Sequence, residues 1–183
     1  MARRRAEPMP PAASVGLQMT EQASPPTTTY NLLFVCTGNT CRSPLAEGIA
    51  RAELQRRGWA NVQVKSAGVS AHPGVPASAE AVTVARRQGV DLSAHASQPL
   101  TPALVSWADV VLTMGPSHLP SVDRMGGAEK AATLGDFAAG GEGLGPSVPD
   151  PFGGPESLYE ETFSELRGLV SAALDRLAPI LHP

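Results

Sequence analysis

Hydrophobic positions in this chain fall into two spacings that take turns. Asn31 to Val35 (NLLFV) is a short apolar run with β-branched and aromatic members, the pattern of a buried strand. From Pro44 to Arg57, Leu45, Ile49 and Leu54 share one helical face, with proline at the start and Gly58 just past the end as helix punctuation. Val62 to Val69 alternates apolar and polar residues and reads as a second strand, and Ala77 to Gln88 reads as a helix closed by Gly89. Thr101-Pro102 opens a further short helix ahead of a buried strand over Asp109 to Met114. Gly135 to Gly154 is rich in Gly and Pro and is expected to be loop. The last helix is expected from about Glu156 to Leu177, with Leu158, Phe163, Leu166, Val170, Ala173, Leu174 and Leu177 along one face. This alternation predicts an α/β fold: a mostly parallel sheet with helices packed on it and a ligand site at the carboxyl ends of the strands.

The first 29 residues share neither spacing. They hold five prolines and four threonines and cannot bury enough apolar area to offset the entropy of ordering, so residues 1–29 are expected to be a disordered tail. Three consecutive arginines near the start suggest a targeting peptide, but no apolar segment of about 7–15 residues follows them. Residues 30–183 have the size of one compact domain. A net charge of −3 over 183 residues argues against nucleic acid as a partner. No apolar stretch approaches the roughly 20 residues that cross a bilayer, so no membrane partner is expected. The only cysteines are Cys36 and Cys41, too few for a disulfide framework, which points to a reducing, cytoplasmic setting.

The first strand runs straight into CTGNTCRS, Cys36 to Ser43, and then into a helix. A tight loop of small residues before a helix N-terminus aims backbone N–H groups inward and adds the positive end of the helix dipole, so an anion such as phosphate is the expected guest of Thr37, Gly38, Asn39, Thr40, Cys41 and Arg42. Gly38 helps the loop turn. Arg42 supplies a planar, permanently charged fork that grips two phosphate oxygens. The field that holds an anion also favours a thiolate at Cys36, aimed at bound phosphorus, and Ser43 can donate a hydrogen bond to that sulfur.

The string VCTGNTCRSP, set between an apolar strand and an amphipathic helix, resembles the low-molecular-weight protein-tyrosine-phosphatase family, whose signature is a C-x5-R-S loop in this setting. The resemblance runs from residue 31 to about 178, through Ser66-Ala67-Gly68, the DVVLTM stretch at Asp109 to Met114, and Asp150-Pro151 before the final helix. It implies a three-layer fold with a four-stranded parallel sheet flanked by helices. It also implies Cys36 as nucleophile, Arg42 as phosphate clamp and Asp150 as general acid, which would protonate the leaving group and then activate water against the phospho-cysteine. By the same resemblance Asn39 and Ser43 hold the loop's shape, His95 joins that network, and Cys36 and Cys41 could form a reversible disulfide under peroxide. His118, where many relatives have asparagine, receives no role.

Family members usually carry bulky aliphatic residues inside the loop, whereas this chain has Thr37 and Thr40. Thr40 resembles the bacterial protein-arginine-phosphatase branch, in which threonine accompanies phosphoarginine activity and isoleucine accompanies tyrosine specificity. Its hydroxyl can orient water or bond a guanidinium, and its small apolar surface gives a phenol ring little to pack against. Asp150 to Gly154 (DPFGG) looks like the same branch, with Phe152 where phosphotyrosine enzymes more often place tyrosine or tryptophan. The expectation is a monomeric phosphatase acting on phosphorylated proteins without metal or cofactor, with phosphoarginine the favoured substrate and phosphotyrosine the alternative. An arsenate reductase would need resolving cysteines outside the loop, and a pseudoenzyme that only binds phosphate would have lost nucleophile or acid. A zinc site has no ligand-pair spacing among Cys36, Cys41, His72, His95, His118 and His182.

Overall fold

The computed structural model describes residues 28–143 and 145–181, so nearly all of the tail expected at residues 1–29 lies outside the described residues. Four strands form one parallel sheet: β1 (Tyr30–Cys36), β2 (Val62–Gly68), β3 (Val110–Thr113) and β4 (Ala131–Thr133), in the order β2-β1-β3-β4. β1 is central, with Phe34 opposite Ser66 on one side and Leu112 on the other. A strand covered on both faces needs apolar residues at every position, which explains the uninterrupted run that opens the domain.

Alternate β1 side chains belong to different layers. Leu32 and Phe34 pack with α1 (Arg42–Arg57), α2 (Ala79–Arg87), α5 (Leu134–Ala139) and α6 (Glu156–Leu181), through Leu45, Ile49, Val84, Leu134, Leu166 and Val170. Leu33 and Val35 pack with Val105 of α3 (Pro102–Trp107) and Val122 of α4 (Leu119–Arg124). Each of these side chains is almost wholly buried and contributes about 1.5–3 kcal/mol relative to exposure. This is the three-layer, four-stranded parallel architecture that the sequence leads one to expect.

Several boundaries differ from the sequence reading, each for a physical reason. The stretch expected to be loop from Gly135 to Gly154 begins inside a helix: α5 starts at Leu134, and its first turn is fixed by Thr133, whose Oγ1 accepts from Asp136 N at 3.2 Å. Gly135 is there because a Cβ would lie 1.8 Å from the Pro146 carbonyl oxygen, so the residue serves close packing rather than a turn. β4 spans only three residues, too short for its period to register. α1 starts at Arg42, two residues before the expected Pro44, so the arginine belongs to the helix's first turn. α2 starts at Ala79, capped by Ser78, rather than at Ala77. α6 continues past Leu177 to Leu181, carrying Pro179 in its last turn.

Candidate active site

The loop from β1 to α1 sits at the carboxyl end of the central strand, and β2 determines how closely it can fold down. Cys36 and Gly68 are register partners at the strand ends. A Cβ on Gly68 would fall 2.5 Å from the Thr37 carbonyl oxygen and 2.9 Å from the Asn39 amide nitrogen, so only glycine lets the loop rest there. Asn39 has φ of +55°, the one non-glycine residue with positive φ among the described residues, and asparagine tolerates that left-handed turn better than most.

Asn39 is fully buried and organises its surroundings. Its Nδ2 donates to Ser43 Oγ at 2.8 Å and to Ser66 Oγ at 2.9 Å, while its Oδ1 accepts from Gln98 N at 2.9 Å. Its backbone carbonyl accepts from His95 Nε2 at 2.8 Å. Ser66 Oγ passes its proton on to Glu47 Oε2 at 2.6 Å, and Glu47 is paired with Arg51. Because Ser43 Oγ already accepts from an amide N–H, its own proton is free for Cys36 Sγ, 3.0 Å away, with the Ala67 carbonyl a longer alternative at 3.4 Å. The Asn39 backbone N–H donates to the same sulfur at 3.2 Å. The Asn39 N–H and the Ser43 hydroxyl therefore converge on Sγ.

Arg42 is buried along most of its length, and its guanidinium reaches across the loop. Nη1 donates to the Val148 carbonyl at 3.2 Å and Nη2 to Asp150 Oδ2 at 2.7 Å, while Nε is buried with no hydrogen-bond partner among the described residues. Asp150 is half exposed, and its Oδ1 accepts from Phe152 N at 3.3 Å. Cys36, Thr37, Gly38, Thr40, Cys41, Arg42, Asp150 and Phe152 together line an open cavity of about 190 Å³. Phe152, 75% exposed, stands at its rim.

Thus the structure brings nearly every residue singled out in the sequence to one place, and His95 touches the loop from behind through Asn39. The second cysteine is a free thiol, as is Cys36, and its Sγ lies 3.4 Å from Tyr159 Oη and 3.5 Å from Ser78 Oγ. Burial and that sulfur contact push the Tyr159 hydroxyl up to about 12. Sequence reasoning missed His118. Its ring is buried, Nε2 lies 3.0 Å from Thr37 Oγ1, and Nδ1 lies 3.2 Å from the Gly115 carbonyl. Burial holds its pKa below the ordinary value, helped by the nearby Arg42 charge and opposed by the Gly115 hydrogen bond and Asp150. Glu47 and Gln98 were missed too: both act through bonds to residues distant in sequence, and no local pattern marks them.

A thiol held by two donors, a guanidinium beside it and a carboxyl within reach of the same cavity can together attack, hold and protonate a phosphoryl group. Among the described residues no cluster of three His, Cys, Asp or Glu side chains could hold a metal ion, and no helix is long and apolar enough to cross a membrane. A family model for low molecular weight phosphotyrosine protein phosphatase matches residues 31–179. The chain is 39% identical over 150 residues to the protein-arginine-phosphatase of Geobacillus stearothermophilus, covering 81% of this chain and 96% of that protein. It is 34% identical over 146 residues to the probable low molecular weight protein-tyrosine-phosphatase EpsP of Ralstonia nicotianae, covering 80% and 94%. A solved low molecular weight protein tyrosine phosphatase from T. tengcongensis superposes with a TM-score of 0.75 at 42% identity, covering 81% of this chain and all of that one. With the loop, the fold and the matched span in agreement, the chain belongs to the low molecular weight phosphotyrosine protein phosphatase family.

Proposed function

We propose that residues 30–183 form one catalytic domain that hydrolyses phosphoarginine in proteins, with Cys36 as nucleophile, Arg42 as phosphate clamp and Asp150 as proton donor and acceptor. The observation that carries the reading is the sulfur of Cys36 held by Asn39 N–H and the Ser43 hydroxyl in the cavity that Arg42 and Asp150 also line. The thiolate attacks phosphorus, forming an S–P bond as the P–N bond breaks, and the Asp150 carboxylic acid gives its proton to the departing nitrogen. The carboxylate then takes a proton from water, whose oxygen displaces sulfur and releases inorganic phosphate. A bound phosphoryl group competes with Asp150 for the Arg42 guanidinium, which frees the carboxyl for the leaving group. These side chains supply nucleophile, clamp and proton, so the cycle calls for no cofactor.

Thr40, half-exposed in the cavity, supports phosphoarginine over phosphotyrosine, because it offers a polar contact and little apolar surface. Phe152 at the rim suits either substrate, since a ring face accepts a guanidinium or a phenol. The similarity to a protein-arginine-phosphatase adds weight. Only Val75, Phe152 and Ile180 are exposed large hydrophobics among the described residues, which fits a monomer, and two free thiols fit the cytoplasm. The test is kcat/KM for a phosphoarginine peptide against a matched phosphotyrosine peptide, in wild type and Thr40→Ile. A ratio above one that collapses in the variant supports the reading; a ratio below one in both makes the protein a tyrosine phosphatase. Cys36→Ser should abolish turnover and keep vanadate binding, and residual turnover would overturn the nucleophile assignment.

A further inference from the structure

We infer that Thr37 is a second substrate-selecting residue, and that His118 is the positioning residue that makes it one, by fixing the Thr37 hydroxyl as a pure hydrogen-bond acceptor at the cavity wall. The inference rests on the phosphatase reading above and extends it to the leaving group.

The direction of the Thr37–His118 bond follows from what lies on the far side of the ring. The Gly115 carbonyl can only accept; it takes the Thr113 hydroxyl at 3.0 Å and the His118 backbone N–H at 3.3 Å, and its 3.2 Å contact with Nδ1 favours the proton on that nitrogen. A neutral ring protonated on Nδ1 has a bare Nε2, which must be the acceptor of the 3.0 Å contact with Thr37 Oγ1. Burial, and then the Arg42 charge facing it from α1, hold the ring's pKa below its ordinary value against the Gly115 hydrogen bond and Asp150, which favours the neutral form. The Thr37 hydroxyl proton is therefore committed to a buried nitrogen, while its oxygen, on an exposed residue lining the cavity, has only lone pairs to offer.

That arrangement changes what Thr37 can do. An oxygen without a free proton is a poor partner for phosphate oxygens, so the part of Thr37 available to phosphate is its backbone amide, not its side chain. The side chain suits a leaving group rich in N–H donors. A guanidinium flanking a scissile P–N bond has such donors beside the phosphorus; a phenol ring has none. Thr37 then discriminates through a hydrogen bond that one substrate can make and the other cannot, which sets it apart from Thr40, whose Oγ1 contacts Cys41 Sγ at 3.7 Å and whose effect is to remove apolar surface.

The experiment compares kcat/KM for matched phosphoarginine and phosphotyrosine peptides in wild type, Thr37→Val, Thr37→Ser, His118→Leu and the Thr37→Val/His118→Leu double variant. Thr37→Val should lose about fivefold to tenfold on phosphoarginine and less than about twofold on phosphotyrosine, the worth of one hydrogen bond. Thr37→Ser should restore the ratio. His118→Leu should lower the ratio in the wild-type background and leave it unmoved on top of Thr37→Val, whereas a merely structural role for His118 would act in both. Equal losses on both peptides, or none, overturn the proposal. A wild type that prefers phosphotyrosine overturns the Thr40 reading alone, and the change of ratio in Thr37→Val still decides this one. Ring 15N shifts of His118 in the full-length wild-type protein need neither turnover nor a stable variant: a proton on Nε2 overturns the assignment outright.

Discussion

Replacing Asn39 with alanine removes a side chain that is fully buried and makes three hydrogen bonds, to Ser43, Ser66 and the backbone of Gln98. The Gln98 N–H has no second acceptor described, and leaving such a group unpaired costs about 1–3 kcal/mol. The two serine hydroxyls lose the donor that orients them, about 1 kcal/mol more between them once they find weaker partners. Alanine must also adopt φ of +55°, at a cost of about 1–2 kcal/mol. The sum, about 3–6 kcal/mol, is a large share of the roughly 5–15 kcal/mol that holds a typical domain together. Denaturant titration should therefore find the midpoint sharply lowered at unchanged m. Asn39→Gly, which meets the backbone angle freely, should be about 1 kcal/mol more stable than the alanine variant, separating backbone strain from lost bonds. In activity, a Ser43 hydroxyl no longer supplied by Asn39 can turn from Cys36 Sγ, so kcat should fall more than KM rises. A destabilisation under about 1 kcal/mol, or kcat within about twofold of wild type, would refute the claim that this one side chain couples the loop's shape to its sulfur.

Three further outcomes follow from the geometry. Asp150→Ala should reduce kcat far more for substrates with poor leaving groups than for activated aryl phosphates, read from the slope of rate against leaving-group acidity; equal losses would remove it as the acid. Gly68→Ala pushes a methyl group to 2.5 Å from the Thr37 carbonyl oxygen and 2.9 Å from the Asn39 nitrogen, so both Tm and kcat should fall, and an unchanged Tm would mean that the loop rides freely over β2. His118 titrates below its ordinary value in the folded protein, so the unfolded chain binds the extra proton first. Stability is then lost as pH falls from about 6.5 toward the lowered folded pKa and levels off below it, and a His118→Asn variant, measured by denaturation across that window, should lack that part of the slope.

The fold was largely legible because its long elements satisfy simple rules. Leu32 to Val35 had to be apolar at every position to sit between two helical layers, and Leu45, Ile49 and Leu54 had to recur at helical spacing to meet them. Legibility ended where an element is short or where a residue type signals one thing and serves another. β4 has three residues, each only half-buried, so neither length nor period distinguishes it. The glycines and prolines from Gly135 onward look like loop punctuation, yet Gly135 lies in a helix because Pro146 passes over it with no room for a side chain. Composition reports that the backbone is unusual there; it does not say whether turning or crowding is the cause.

The site divides along a different line. Cys36 through Ser43 was legible because its chemistry is local: a strand end, a loop of amides and a helix start are contiguous, so their joint effect on an anion follows from order alone. Asp150 entered only through the family resemblance, since the Asp-Pro pair ahead of the last helix reads by itself as a turn. What sequence could not supply is the set of partners that give these residues their hydrogen-bond directions. Ser43 donates to sulfur only because Asn39 occupies its lone pair, and Asn39 is oriented only because Gln98 claims its oxygen, a residue 59 positions away. Thr37 is an acceptor only because His118, 81 positions away, is itself oriented by the carbonyl of Gly115. In each case the residue type allows either direction, and a third group settles it. The loop's sequence therefore points to the reaction, while the directions of the bonds around it are set from two distant segments, at Gln98 and at Gly115 to His118.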